Sequence, residues 1–147
     1  PLLEWTHIHN EFLDALLHYD GCGDSLLVPG CPSCKAPGIS GTYWCSKCLD
    51  HEMICCDCCL KWHESLPLHH VQVCNGMFFE HTTLFDMGLI IYLGHMGCLM
   101  PRDDPTLFTI IHTNGIHHVC IVFCSCAISV HPWQQLLCHA WFPATIH

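Results

Sequence analysis

Strong cations are nearly absent from this chain. Lys35, Lys47, Lys61 and Arg102 stand against thirteen aspartates and glutamates in 147 residues, for a formal net charge of −9. Nucleic-acid affinity is built mainly from lysines and arginines that displace counterions from phosphates. Four scattered cations therefore exclude a strong DNA- or RNA-binding surface of the chain's own and favour a protein partner over DNA. A long uninterrupted apolar run is also missing. The most apolar stretch, Thr82 to Met100, carries Asp86, His95 and three glycines, and its apolar part is shorter than the roughly 20 residues a membrane span needs. It reads as buried strand. No charged segment followed by an apolar one forms a secretory signal. These absences point to a soluble, intracellular protein with no membrane partner. The start at Pro1 and the abrupt end after "AWFPATIH" suggest a fragment or processed product.

What fills the composition instead is soft metal ligands. Fifteen cysteines and fifteen histidines occur in the chain, far above ordinary cysteine usage. An odd cysteine count sits badly with a fully paired disulfide framework. Repeated C-x2-C pairs followed by histidines fit metal in a reducing compartment better than disulfides.

The hydrophobic pattern predicts an α+β fold in three parts. Residues 1–28 form an N-terminal helix and lead-in. Trp5, Ile8, Phe12, Leu13, Leu16 and Leu17 recur at helical spacing, read as a core-packing face, and Gly21 and Gly23 end the helix. Residues 29–76 form a cysteine-rich zinc module with one short helix, Asp57–Leu66, stopped by Pro67. Residues 77–147 form a small antiparallel β region. There "GLIIYL", "LFTIIH" and "IHHVCIVFC" are short strands, and Asn114-Gly115 predicts a hairpin pairing Leu107–His112 with Ile116–Phe123. The segment "PWQQLLCHAWFPAT" is compatible with either a helix or a final strand.

Four ligand pairs carry the chemistry: Cys31/Cys34, Cys45/Cys48, Cys55/Cys58 and His63/His69. They are C-x2-C pairs separated by ten and then six residues, followed after four by H-x5-H. A C-x2-C turn lets two sulfurs reach one zinc at about 2.3 Å while nearby amides hydrogen-bond to the thiolates. Eight ligands make two closed tetrahedra, and closed sites are structural. Cys56/Cys59 repeats the Cys55/Cys58 spacing and His70 adjoins His69, so the local register has alternatives. Cys56, Cys59 and His70 are read as bystanders.

The paired series ending in "KWHESLPLHH" is similar to the B-box zinc fingers, in which alternate ligand pairs share a metal. That resemblance implies a cross-braced module, with Cys31, Cys34, Cys55 and Cys58 on one zinc and Cys45, Cys48, His63 and His69 on the other. Spacing alone leaves sequential pairing open. Over nearly the whole chain, "EFLDALLHYDGCGD", "CCLKWHESLPLHHV", "FFEHTTLFDMGLIIYLGH", "NGIHHVCIVFCSC" and "QQLLCHAWFPAT" together resemble the CxC-type cysteine-cluster domain, second class. That domain is associated with the KDZ (Kyakuja–Dileera–Zisupton) transposases of fungi. In that family it precedes a large catalytic region of RNase H-like fold, and this chain stops before any such region. The resemblance implies nuclear work and, through a full-length transposase, contact with DNA.

A third zinc site is assembled from His95, Cys98, Cys124 and Cys126, the alternative being unligated buried cysteines. His117 lies seven residues from Cys124 along one strand, over roughly 20 Å at about 3.3 Å per residue, and does not share an ion with it. In the family pattern, arginine is frequent where this chain has His18, Cys22, Cys56, His70, His81 and Cys138. Transitions in arginine codons produce cysteine and histidine, so the chain reads as a decayed copy of a transposable element. No catalytic set is visible: Asp86, Asp103 and Asp104 lack the context of a two-metal carboxylate site. The expectation is a zinc-binding, non-catalytic accessory module with no small-molecule substrate. The competing expectation is a B-box- or RING-like interaction module in ubiquitin transfer.

Overall fold

The computed structural model describes residues 2–22, 27, 29–48, 52–94, 104–126 and 128–145. Among the described residues, three helices and six strands follow one another as α1 (Leu2–Asp20), β1 (Tyr43–Cys45), α2 (Cys56–His63), β2 (Val71–Cys74), β3 (Phe79–Thr82), β4 (Ile90–Leu93), β5 (Thr106–His112), β6 (Gly115–Phe123) and α3 (Pro132–Cys138). The architecture is α+β. The chain divides into two compact units, one of Pro1–His63 with His69–Thr83 and one of Glu64–Leu68 with Leu84–His147.

In the first unit, β1, β2 and β3 form an antiparallel sheet in that order. Tyr43 pairs with Val73 and Cys45 with Val71, and on the other side Val71 pairs with Thr82 and Cys74 with Phe79. The β2–β3 turn is held by the Asn75 side chain, whose Oδ1 accepts from the amides of Met77 and Phe78 at 3.0 and 3.1 Å. Gly76 beside it has φ +96°, a conformation that glycine adopts without steric cost. The core gathers Cys22, Trp44, Met53 and Cys74, with Phe79 packed against it. Within that core Cys22 and Cys74 are joined in a disulfide across 52 residues. Weighing metal against disulfides as alternatives therefore misjudged this pair, because the unit holds one disulfide beside its free thiols.

α1 departs from expectation. Trp5, Ile8, Phe12, Leu13, Leu16 and Leu17 do share a helical face, but each is between 41 and 61% exposed. The face is not packed into the core as the periodicity had implied. Periodicity marks an apolar stripe but not what covers it.

In the second unit, β6 is the central strand, with β4 on one side and β5 on the other. β5 and β6 form the predicted hairpin, but its two loop residues are Thr113 and Asn114, and His112 pairs with Gly115. β4 runs parallel to β6, Ile90 against Cys120 through Leu93 against Phe123. The sheet is therefore mixed, because β6 returns from the hairpin in the same direction as β4. Central placement explains the apolar sequence of β6: Val119, Ile121 and Val122 are buried. Among the described residues of the apolar run from Thr82 to Met100, Thr82 ends β3 and Ile90–Leu93 is β4. Leu84 to Gly88 is a turn closed by the Leu89 amide donating to the Leu84 carbonyl at 2.8 Å.

The C-terminal segment is a helix, α3, opened by Pro132 in its first turn. Proline is tolerated there because its missing N–H has no intrahelical partner. From this helix the buried Gln135 side chain reaches Cys124. Its Oε1 accepts from the Cys124 amide at 2.9 Å, and its Nε2 donates to the carbonyls of Cys124 and Val130 at 2.7 and 2.8 Å. No helix among the described residues is long and apolar enough to cross a membrane.

Candidate metal centre

Both candidate clusters lie in the first unit, and short local devices place each ligand. Cys31 and Cys34 bracket a tight turn. The Lys35 amide closes it on the Cys31 carbonyl at 2.8 Å, with Lys35 itself at φ 54°. Ile54 pairs with Tyr43 in both directions, amide to carbonyl at 2.9 Å each way, which delivers Cys55 beside β1. Gly41 permits that approach: a Cβ at this position would collide with the Met53 carbonyl group and stand 3.1 Å from the Ile54 nitrogen. Cys45 ends β1, and the turn to Cys48 closes with the Cys48 amide on the Cys45 carbonyl at 3.3 Å.

α2 serves both clusters. Cys58 and His63 are five residues apart, so at 3.6 residues per turn they point about 140° away from each other. His69 lies two residues before Val71, the partner of Cys45 across the β1–β2 ladder.

The result is two groups of four. Cys31, Cys34, Cys55 and Cys58 bring their sulfurs within 4.8 Å of one another, and so do the ligand atoms of Cys45, Cys48, His63 and His69. Cys31 and Cys34 thus gather with the third pair, and Cys45 and Cys48 with the histidines. Separations within the groups fit a tetrahedral ion. With bonds of about 2.3 Å to sulfur and about 2.05 Å to nitrogen, tetrahedral edges are about 3.8 Å for S···S and about 3.6 Å for S···N. The structure has Cys34 Sγ to Cys55 Sγ at 3.9 Å, Cys45 Sγ to His69 Nδ1 at 3.5 Å, and Cys48 Sγ to His63 Nε2 and His69 Nδ1 at 3.6 Å each. The residues present therefore fit a four-coordinate ion with sulfur and imidazole ligands.

Supporting bonds orient these ligands. His63 Nδ1 is 2.8 Å from the Cys59 carbonyl, which makes that nitrogen the donor and leaves Nε2 as the ligating atom. The Cys55 amide donates to Cys31 Sγ at 3.3 Å. Cys59 is only 1% exposed yet stands outside both groups, and its role is to hold His63. His70 turns instead to His81, ring nitrogen to ring nitrogen at 3.4 Å. The cavity at the second group is about 10 Å³, lined among others by Cys45, Cys48, Cys59 and His63. That volume has no room for an organic substrate.

The electrostatics distinguish the thiols within each group. Burial pushes the Cys31 thiol up, but amides at Cys34, Cys55 and Ser33 outweigh it and hold the thiol at about 6. Cys55, buried beside it and sharing hydrogen bonds with neighbouring thiols, is pushed up to about 12. Cys45 follows the first pattern, lowered against its burial to about 6, chiefly by His63. Cys48 is raised by burial and by Cys45. One thiolate forms readily in each group and the next is resisted, first by burial and then by the neighbouring thiols. A divalent cation removes that resistance.

Of the other expected ligands, Cys124 and Cys126 bring their sulfurs to 3.4 Å, on the strand end that Gln135 holds. His95 and Cys98, expected to join them, lie outside the described residues. His117 sits at the far end of β6, bonded to Asn114 Oδ1 at 2.9 Å. Two contributors escaped sequence reasoning. The orienting carbonyl of Cys59 carries no sequence signal, whereas a glycine two residues before a strand, at Gly41, was a signal available to be read.

The family model for the CxC2-like cysteine cluster associated with KDZ transposases matches residues 84–147. No curated protein and no solved structure matches the chain.

Proposed function

We propose, on the premise that residues 84–147 match the CxC2-like cysteine cluster associated with KDZ transposases, that this chain is a zinc-held, non-catalytic accessory module of such a transposase. The observation that carries the metal half of this reading is the pair of four-ligand groups, each with its ligand atoms within 4.8 Å of one another. Cys31, Cys34, Cys55 and Cys58 hold one zinc; Cys45, Cys48, His63 and His69 hold the other. Zinc in such closed sites supplies cross-linking and charge neutralisation, contributing about 10–16 kcal/mol of apparent binding free energy per site that becomes folding free energy. The chain's own residues do the rest. Cys59 fixes the His63 ring, and the Cys55 amide steadies the Cys31 thiolate. A third zinc, held by Cys124 and Cys126 with His95 and Cys98, belongs to the same reading.

The module offers a contact surface, and with a net charge of −9 its partner is a protein, the catalytic region of the transposase, in the nucleus. DNA is reached through that region. The scarcity of arginine fits a decayed copy. If the codons for His18, Cys22, Cys56, His70, His81 and Cys138 are not single transitions from arginine codons, the decay reading fails.

Native mass spectrometry before and after chelation tests the metal. Two or three zincs, lost together with the fold, are expected; a zinc-free chain with its cluster cysteines oxidised in pairs overturns the proposal. Co-expression with the catalytic region of a KDZ transposase tests the role. Zinc-dependent co-purification supports it, and tight salt-resistant binding of the isolated chain to duplex DNA contradicts it. The alternation of ligand pairs also fits a B-box-like module in ubiquitin transfer, which would require direct binding to a ubiquitin-conjugating enzyme.

A further inference from the structure

The metal sites leave the exposed face of α1 unexplained. Trp5, Ile8, Phe12, Leu13, Leu16 and Leu17 line one side of the helix, each between 41 and 61% exposed. Their rings are already ordered along it, with Trp5 stacked on Phe12 at 5.8 Å and on His9 at 6.2 Å. Burying apolar side chains of this size is favourable, and a helix with no packed face is marginal in water. The helix is rooted at its end, where the Gly21 amide bonds to the Leu17 carbonyl at 3.0 Å and Cys22 is joined to Cys74. It is thus held in place while its apolar stripe stays uncovered by the described residues.

Charge selects the occupant. Residues 2–20 contain Glu4, Glu11, Asp14 and Asp20 and neither lysine nor arginine. By helical period, Glu11 borders the stripe on the Ile8 side and Asp14 on the Leu17 side, and both are exposed. A second copy would set acid against acid along the seam, where like charges oppose association. Phosphate backbones and anionic lipid surfaces are repelled for the same reason. A helix with its own apolar stripe flanked by lysine or arginine meets both the stripe and its acidic borders.

We propose that α1 is a docking helix for a basic amphipathic helix of a protein partner. The proposal rests on the reading of this chain as a protein-contact module and names the contact surface.

The test uses the zinc-loaded full chain and two synthetic heptad-repeat peptides that share leucines at the seam, one with lysine and one with glutamate at the flanking positions. Calorimetry is expected to show binding of the lysine peptide that weakens about tenfold or more between low and high salt, as exposed charge pairs require. The glutamate peptide should bind at least about tenfold more weakly. Leu16→Asp should abolish binding with the zinc count unchanged. The double variant Glu11→Lys/Asp14→Lys keeps the apolar stripe and should reverse the preference between the peptides. Equal binding of both peptides, or of neither, overturns the proposal. So does a concentration-dependent dimer that Leu16→Asp dissolves, or adsorption to anionic vesicles that it prevents. Zinc counted on the same samples separates the two readings: a metal-free chain that still selects the lysine peptide sinks the zinc module and leaves the docking helix standing.

Discussion

The Cys55 amide donates to Cys31 Sγ at 3.3 Å across 24 residues of chain. Through this bond the loop that carries the first ligand pair and the start of α2 meet before any ion is considered. The contact depends on Ile54 lying against Tyr43, and that in turn depends on a backbone approach at Gly41 too close for any side chain.

Gly41→Ala should therefore disturb both clusters at once. The added methyl meets the Met53 carbonyl group, and relief requires the Tyr43–Ile54 bridge to open, moving Cys45 and Cys55 together. We expect a stability loss of at least about 2–3 kcal/mol, the range of a rigid clash in a packed site. Chelator titration should show zinc leaving both groups more readily. Thermal unfolding and zinc counts on the variant check this.

The register of the third cysteine pair is open to a direct comparison. Cys58→Ser removes a sulfur from the first group, whereas Cys59→Ser alters a buried side chain outside both groups. The first variant should lose one zinc. The second should keep the full count, because the Cys59 backbone carbonyl still orients His63. Loss of metal from Cys59→Ser alone would reverse the assignment.

Metal uptake should strengthen as pH rises. Without metal, burial lowers His63, but Cys45 and Cys59 outweigh it and raise the imidazole to about 11. Burial holds Cys48 above the ordinary thiol value and pushes Cys55 up to about 12. These three groups carry protons at pH 7 and must release them to bind an ion. Cys31 and Cys45, lowered to about 6, favour the fold above the ordinary thiol range and lose that contribution as pH falls through about 6. Competition with a chromophoric chelator should show affinity climbing from pH 6 to pH 8, with proton release on zinc addition. A flat or falling profile contradicts this.

Gln135→Leu addresses the second unit alone. The amide of Gln135 serves the Cys124 N–H and two carbonyls, and a buried group deprived of its bond costs about 1–3 kcal/mol. The variant should unfold at lower temperature while the zincs at Cys31–Cys58 and Cys45–His69 stay bound.

The eight residues singled out by spacing are the eight that the structure gathers into two groups, because a C-x2-C turn is a local geometry that sequence writes out. The α+β class was legible for a similar reason, since hydrophobic period and the turn near Asn114 are local signals. What escaped was non-local. Nothing near Cys22 announces Cys74, 52 residues away. The parallel pairing of β4 with β6 is decided by how a hairpin returns, not by the composition of either strand. The α1 stripe was legible as a stripe, but whether a core or a partner covers it is not written in its period. The nitrogen that His63 presents follows from the Cys59 carbonyl, which no side-chain pattern encodes.

The double variant Cys34→Ser/Cys58→Ser tests the alternate pairing of ligands most directly. Cross-braced pairing puts both residues in one group, so native mass spectrometry of the folded variant should show one zinc fewer than the parent. Sequential pairing puts them in different groups, and a loss of two zincs would contradict the account.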